Sequence, residues 1–489
     1  MEFWNLLRRS EMLPGNKLIR CLGKYAKGVV LTGGCVLLFA CATYHAQPIM
    51  PAELMRAYAA RSLDDLGLQR YIASHSKENV DSIASNGWSL TTLTLAAFYL
   101  SPELDLARAK SATSQAAIQT AGQRPNPSLQ FPFEYTTNAK AGESPYTSGL
   151  GLDIPIETAG KRGYRIGQAT QLSNAARFAV GDVAWQVRSR LRQRMLDLWA
   201  ATQRAAILEQ QITVEQQVVQ MLDKRLVVGA ASVPDVNSAR ITLSQNRLDL
   251  ANSQKQAMDI RAQMASLIGL PVDVLSGVRI RFDEFERTYP DLPADAIRQH
   301  AVLNRADVLA ALSEYEASQA ALQLEIARQY PDIHIGPGYT FDAGAHKFVF
   351  PVSGIALPLF NRNAGPIAEA TARRTEIAAR VNAVQVQAIN DADRAVANYR
   401  SALTNWRLAE SLLSAQQQQL KALQISFHAG ETDRLTLMLA QYAYYANELA
   451  RIEARVQVQQ AVGQLEDAMQ RPLPATDFQF LPDIEENRP

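Results

Sequence analysis

Apolar residues recur along this chain with two different periods, arranged in blocks. Ile377, Val381, Val384, Ala388, Ala392, Val396, Tyr399, Leu403 and Trp406 step by three or four positions, which is the spacing of one helix face. Proline and glycine, the usual helix interrupters, are missing from long stretches. Residues 161–228 contain no proline in 68 positions, and residues 367–428 contain neither in 62. Residues 235–268, 294–330 and 431–471 also lack proline and hold a single glycine, Gly463. The pattern predicts five helices. At about 1.5 Å per residue the two longest would run roughly 95 to 100 Å, several times the width of a globular domain.

Between the helices the period changes to two. Leu129, Phe131, Phe133 and Tyr135 alternate with polar residues and Pro132, and in residues 145–156 Tyr146, Leu150, Leu152, Ile154 and Ile156 share one parity. This predicts a β-hairpin over about 128–156 with one apolar face. A second hairpin is expected over about 332–360, with Ile333, Ile335, Tyr339 and Phe341 on its first strand and Ile355, Leu357 and Leu359 on its second. Phe348, Phe350 and Val352 have the opposite parity to that last trio, so a bulge or register change is expected near Ser353.

The two hairpins belong to two copies of one unit. Ser114-Gln115-Ala116-Ala117 matches Ser318-Gln319-Ala320-Ala321, Ile154-Pro155-Ile156 aligns with Leu357-Pro358-Leu359, Gly229 aligns with Gly430, and Pro271 with Pro472. The fold class expected is therefore mainly α with a small β part, built as tandemly duplicated long helical hairpins plus two β-hairpins. Repeat 1 covers 89–271, with long helix 161–228 and return helix 235–268. Repeat 2 covers 294–474, with long helix 367–428 and return helix 431–471. Residues 272–293 form a linker at the equator, where residues 278–282 would add a strand, and 475–489 are a tail. The return helix of the first copy and the lead-in helix of the second together equal one long helix, so they are expected to stack end to end beside it.

Strands of about ten residues with one apolar face are long enough to cross a bilayer when tilted. Four strands cannot close a barrel, and lipid does not tolerate an open sheet edge, so insertion would require oligomerisation. The competing reading is a pair of ordinary hairpins packed on helices, in a periplasmic coiled-coil structural or adaptor protein that stays out of the membrane.

The amino terminus favours export. Arg8, Arg9, Lys17, Arg20, Lys24 and Lys27 precede a short apolar run ending in Leu38-Phe39-Ala40-Cys41, the order of a signal peptide over 1–40 followed by a lipobox-like motif. Cleavage before Cys41 and acylation on it are expected, the alternative being ordinary cleavage near Ala46; residues 41–88 would form an N-terminal periplasmic segment. The other cysteines, Cys21 and Cys35, would leave with the signal, so disulfides, thiolate metal sites and cysteine catalysis are set aside. With 49 Lys and Arg against 48 Asp and Glu, no basic surplus points to nucleic acid.

Thr92-Leu93-Thr94-Leu95-Ala96-Ala97-Phe98-Tyr99-Leu100, Ile154-Pro155-Ile156-Glu157-Thr158-Ala159-Gly160-Lys161-Arg162 and Leu357-Pro358-Leu359-Phe360-Asn361-Arg362-Asn363 carry a resemblance. In two ordered copies, over about 89–474, the chain resembles TolC-type outer-membrane efflux factors, nearest to the branch serving heavy-metal (cation) resistance-nodulation-division pumps. The resemblance implies a homotrimer in the bacterial outer membrane, with a 12-stranded membrane β-barrel on an α-helical periplasmic barrel. It implies a passive exit duct for a periplasmic adaptor and an inner-membrane transporter. It also implies that Val228, Gly229, Ala230, Ala429, Gly430 and Glu431 lie at the periplasmic tip and meet the adaptor. Where family members often carry an acidic ring beyond the second tip glycine, this chain has Thr436 and Leu439; Glu431 and Asp433 would supply acidity instead, and Asp235 matches on the first copy.

No catalytic signature is found, so no enzyme and no cofactor are expected beyond lipid on Cys41. His45, His75, His300, His334, His346 and His428 show no metal-ligand spacing, although His334 and His346 share the second hairpin. Asp391 and Asp393 are read as a solvated helix face, and Lys161, Arg162 and Arg362 as basic side chains reaching the inner membrane surface. Trp185, Trp199 and Trp406 are read as helix-packing residues.

Overall fold

The computed structural model describes residues 43–473, apart from 77–82, 84–85, 141, 290–292 and 354. The expected leader, the three cysteines including Cys41, and the tail 475–489 lie outside the described residues. The chain divides into two units, 1–58 and 59–489. In the first, residues 43–50 are exposed and outside any helix or strand, and α1 (Pro51–Ala59) begins.

The second unit opens with α2 (Leu66–His75) and then runs helix, strands, long helix, return helix, twice. Copy one has α3 (Leu90–Leu100), α4 (Pro102–Gly122), strands β1 (Ser128–Gln130), β2 (Phe133–Tyr135) and β3 (Tyr146–Ile156), then α5 (Lys161–Val227) and α6 (Val233–Ile268). Copy two has α7 (Ala294–Asn304), α8 (Ala306–Ala327), strands β4 (Ile333–Ile335), β5 (Gly338–Asp342), β6 (Ala345–Val349) and β7 (Val352–Ser353), then α9 (Ala364–His428) and α10 (Arg434–Met469). The long helices have 67 and 65 residues and the return helices 36 each, so the repeat survives to the level of helix length.

The expected single helix over 294–330 is a correction. It breaks at Arg305, whose backbone is extended (φ −66, ψ 135) and whose guanidinium is fixed by Asp307 at 2.7 Å and Asp391 at 3.5 Å. Copy one breaks at the matching place, Ser101, where Pro102 opens the next helix. The return helices also start at Val233 and Arg434 rather than at 235 and 431, which leaves Glu431 in the turn.

Helix α5 is the axis of packing. Its first half lies against α4 and α8, with Ser173 Oγ donating to Gln115 Oε1 at 2.7 Å; its second half lies against α6 and α10. Thus α6 and α8 flank consecutive halves of one long helix. A large core cluster gathers Leu93, Leu191, Leu196, Leu198, Met264 and Phe285 near the middle, each fully buried and contributing about 2 kcal/mol by apolar transfer. Trp185 and Trp199 are buried on α5, and Trp406 packs on a second cluster with Val396 and Tyr399. That cluster holds the α9 stripe read from the sequence from Val384 to Trp406, while Ile377 and Val381 lie outside it, half-buried. Helix α5 buries 25 residues and α9 only six, so α9 keeps a long unpartnered flank. The expected strand at 278–282 reduces to one parallel bridge, Trp88 with Ile280, closed by bonds of 2.9 Å to Arg279 and from Arg281.

Candidate functional site

The strands form one antiparallel sheet at the start of the long helices. β3 is central, β1 and β2 pair with one side of it, β4 and β5 with the other, and β6 and β7 pair with β5 and β4. The two hairpins are therefore neighbours, and both outer edges of the sheet are unpaired among the described residues. Register fixes the faces: Leu129 opposes Leu152, Phe133 opposes Ser148, Leu150 opposes Tyr339, Ile154 opposes Ile335, and Tyr339 opposes Phe348. One face is apolar and aromatic, with Phe133 69% and Phe348 86% exposed. The other is polar: His334 Nδ1 lies 3.0 Å from Asp153, Lys347 donates to Asp342 at 2.7 Å, and Thr147 donates to the same carboxylate at 3.0 Å.

Several strand expectations are corrected. Phe131 falls in a break at Pro132, and prolines 337 and 351 likewise split β4 from β5 and β6 from β7, because proline cannot donate to the ladder. The carbonyls of Pro132 and Pro337 still accept from Gly149 and Leu152, at 2.9 and 3.0 Å, so the sheet stays continuous. Ile355, Leu357 and Leu359 belong to no strand; ladder pairing ends at Ser353, where the register change had been expected, and the three are exposed. Lys161 is buried rather than snorkelling. Its ammonium donates to Tyr330 O at 2.7 Å and pairs with Asp332 at 2.8 Å, tying the two copies together. His334 and His346 occupy opposite faces, His346 bonding to Tyr339. Among the described residues no group of three or more His, Cys, Asp or Glu could hold a metal. Asp391 and Asp393 engage Arg305, Arg394 and Arg298.

At the other end of the long helices both turns are built alike. Gly229 and Gly430 take φ of +71 and +77, and the amides of Ala230 and Glu431 reach back to Arg225 O and Ser426 O at 2.7 and 2.9 Å. This double-bonded C-terminal motif uses up carbonyls that a helix end otherwise leaves free. Ser232 then caps α6 in a reciprocal box with Asp235, and Asp433 caps α10 through Thr436 N at 2.8 Å. Of the iris candidates, Asp433 is thus the N-cap of α10, and Asp235 is the third-residue partner of the Ser232 cap. Ser232 hydrogen bonds lower the Asp235 carboxyl, and Arg225, with Thr436, lowers that of Asp433 to about 2. Arg225 Nη2 meets Asp433 Oδ2 at 2.7 Å and so links the two helical hairpins. Leu439 is exposed, Val228 caps α5, and Ala429 caps α9.

Midway along α5 lies a polar centre that the sequence reading missed. Glu466 of α10 accepts from Arg188 at 3.0 Å and Arg192 at 3.1 Å, all three buried, and Arg192 also donates to Gln459 O at 2.9 Å. Trp185 Nε1 and Ser189 Oγ donate to Asp467, each at 2.9 Å. Beside them is a cavity of about 250 Å³, whose lining includes Glu284. Burial pushes the Glu284 carboxyl up to about 7 against the pull of Arg192 and Arg188. The available signal was two arginines four residues apart on a stripe that is otherwise apolar.

Comparison with known proteins bears on all three regions. The sequence profile of a family described as outer membrane efflux protein matches residues 96–270 and 297–470. The cobalt-zinc-cadmium resistance protein CzcC of Cupriavidus metallidurans is 25% identical over 354 residues, covering 71% of this chain and 82% of that one. The pyoverdine export outer membrane protein OpmQ of Pseudomonas aeruginosa is 23% identical over 481 residues, 89% of this chain and 96% of its own length. The fold is that of the outer membrane protein VceC of Vibrio cholerae, with a TM-score of 0.63 at 20% identity over 78% of this chain and 95% of that chain.

Proposed function

The chain belongs to the outer membrane efflux protein family and is an outer-membrane efflux channel reaching into the periplasm, and from that premise we propose a trimeric exit duct for a tripartite pump. Three copies would join their open sheet edges into one 12-stranded barrel, with the aromatic face towards lipid and the Asp153, His334, Asp342 and Lys347 face towards the lumen. The observation that supports this best is the sheet itself: two unpaired edges and two chemically opposite faces suit a barrel made from several chains and suit no monomer. The unpartnered flank of α9 would be covered by the neighbouring copy in the same closure, giving a hollow helical cylinder below the membrane.

Glycine turns at 228–230 and 429–431 would face the periplasmic adaptor, and Asp235 and Asp433, with Thr436 and Leu439, would surround the narrowest opening. The duct does no chemistry. An inner-membrane transporter of the resistance-nodulation-division type would drive export and select cargo, the relatives being named for cobalt-zinc-cadmium resistance and for pyoverdine export. Lipid on Cys41 would add an anchor at the outer membrane.

Membrane fractionation, unheated gel migration and planar-bilayer conductance test the reading together. The expected result is an outer-membrane species of trimer size that conducts ions. A salt-extractable periplasmic monomer without conductance would overturn the barrel and restore the reading of a soluble coiled-coil scaffold.

A further inference from the structure

The two units are copies, yet their long helices have different surroundings. Helix α5 lies between α4 and α6 of its own unit and α8 and α10 of the second. Helix α9 packs on α8 and α10 of its own unit and, among the described residues, lacks the other pair. The helices therefore form two open rows, α4–α5–α8–α9 towards the sheet and α6–α5–α10–α9 towards the tip. The free faces at the two ends of each row match. Towards the tip, Leu408, Ala415 and Ala422 on α9 and Ile241, Leu248 and Ala251 on α6 are exposed at the spacing of a coiled-coil seam. The pairing of Arg225 with Asp433 holds the two turns at one level. Counted from those turns, Leu408 is level with Ala251, Ala415 with Leu248 and Ala422 with Ile241, so each pair sets a large side chain against alanine. Towards the sheet, exposed Ala372 on α9 is level with exposed Thr113 on α4.

We propose, and this rests on the trimeric reading above, that copies of this chain join head to tail, the free face of α9 in one chain packing on α6 and α4 of the next as α5 packs on α10 and α8 within a chain. The internal duplication supports this: each long helix then lies between its own unit and the following one, and a head-to-tail contact of this kind closes into a ring. The seam between chains differs from the one within a chain in its charges. Within a chain the units are tied by Arg225 with Asp433, Arg204 with Glu453 and Lys161 with Asp332. Gly229 aligns with Gly430, the left-handed residues Gly160 and Asn363 open the two long helices, and Pro127 aligns with Pro331. The positions equivalent to the three ion pairs are then Ser426 and Ser232, Asn405 and Asn252, and Ala364 and Ser128. None is charged. Apolar burial holds the seam without those ties, and salt, which screens exposed ion pairs, leaves it closed.

Cysteine cross-linking of the full chain in outer-membrane preparations tests the seam. Ala415→Cys is combined with Leu248→Cys, and Ala372→Cys with Thr113→Cys, and each is treated with a short bismaleimide beside the single variants. Both doubles should give covalent dimers and trimers on a denaturing gel, at least about tenfold above the singles, because thiols held in one assembly react as an intramolecular pair. Chains with Ala415→Cys alone, co-expressed with chains carrying Leu248→Cys alone, should link as dimers and no further. Leu248→Lys should remove the trimer from an unheated gel, and Ala415→Asp added to the same chain should restore it. The wild-type trimer should persist in about 1 M NaCl, where exposed ion pairs are screened. Dimers from Ala415→Cys alone would mean that α9 meets α9 and would overturn the seam. A conducting outer-membrane trimer in which neither double links would overturn the seam and leave the duct standing. Dissociation in salt would overturn the apolar character of the contact. A periplasmic monomer without conductance would overturn the duct and the seam together.

Discussion

At the scale of single residues, charge is handled differently at the middle and at the tip of the helices. Glu466 lies between two arginines, whereas Glu284 has no direct ion pair among the described residues and carries a carboxyl raised to about 7. A carboxyl raised on folding binds its proton more tightly in the native state. Its contribution is therefore fully present below the ordinary value near 4.5 and is lost as pH rises through about 7. Glu284→Gln, which fixes the neutral form, should raise the thermal midpoint at pH 8 and leave it unchanged at pH 5. The gain is at most about 3 kcal/mol, and less to the extent that water enters the cavity. Equal shifts at both pH values would show that charge at Glu284 is not what matters. At the tip, Asp235 and Asp433 looked like free acidic groups in the sequence. The structure engages each at the start of a return helix: Asp433 caps α10 by accepting from the Thr436 amide, and Asp235, the third residue of α6, accepts from the amide of Ser232, whose hydroxyl accepts from the Asp235 amide.

At the scale of elements, long helices were legible because nothing in 161–228 or 367–428 stops them, and their ends were marked by glycine. The break at Arg305 was not. In copy one Pro102 announces the same break, while in copy two Ala306 would continue a helix, and the interruption depends on an arginine held by carboxylates on α8 and α9. The tip glycines make an element-scale prediction. A Cβ at Gly430 would meet nothing within 4 Å, so any cost of substitution comes from backbone conformation alone. Gly430→Val should destabilise the turn by about 1 to 2 kcal/mol, and Gly430→Asn by clearly less, since asparagine tolerates positive φ. Hydrogen exchange over residues 425–437 would report the difference. Comparable losses for the two variants would point to a contact other than the turn.

At the scale of the whole molecule, the question is what covers the surfaces left open by one chain. The aromatic face of the sheet and the flank of α9 are both exposed, and the barrel of three chains proposed above would cover both. The faces of the sheet then predict opposite phenotypes for adjacent residues. Phe348→Arg places a cation on the lipid side and should cost about 2 to 4 kcal/mol, enough to remove the trimer from an unheated gel. Lys347→Glu, one residue away on the other face, should leave the trimer in place and shift the ion selectivity measured by reversal potential. Loss of the trimer in both would place neither face in lipid.

Periodicity by itself determined the classes of element, their doubling and the apolar parity of the strands, because these follow from local spacing and from which residues interrupt a helix or a ladder. Only the tertiary structure decided which charges were buried together. Arg188 and Glu466 are separated by 278 residues and Lys161 and Asp332 by 171, and no local pattern carries the information that they meet. The same holds for the sheet. Each strand was readable alone, but the pairing of β3 with β4 and β5, which joins the two copies and leaves two edges open, is a non-local contact fixed by where the long helices set the hairpins down.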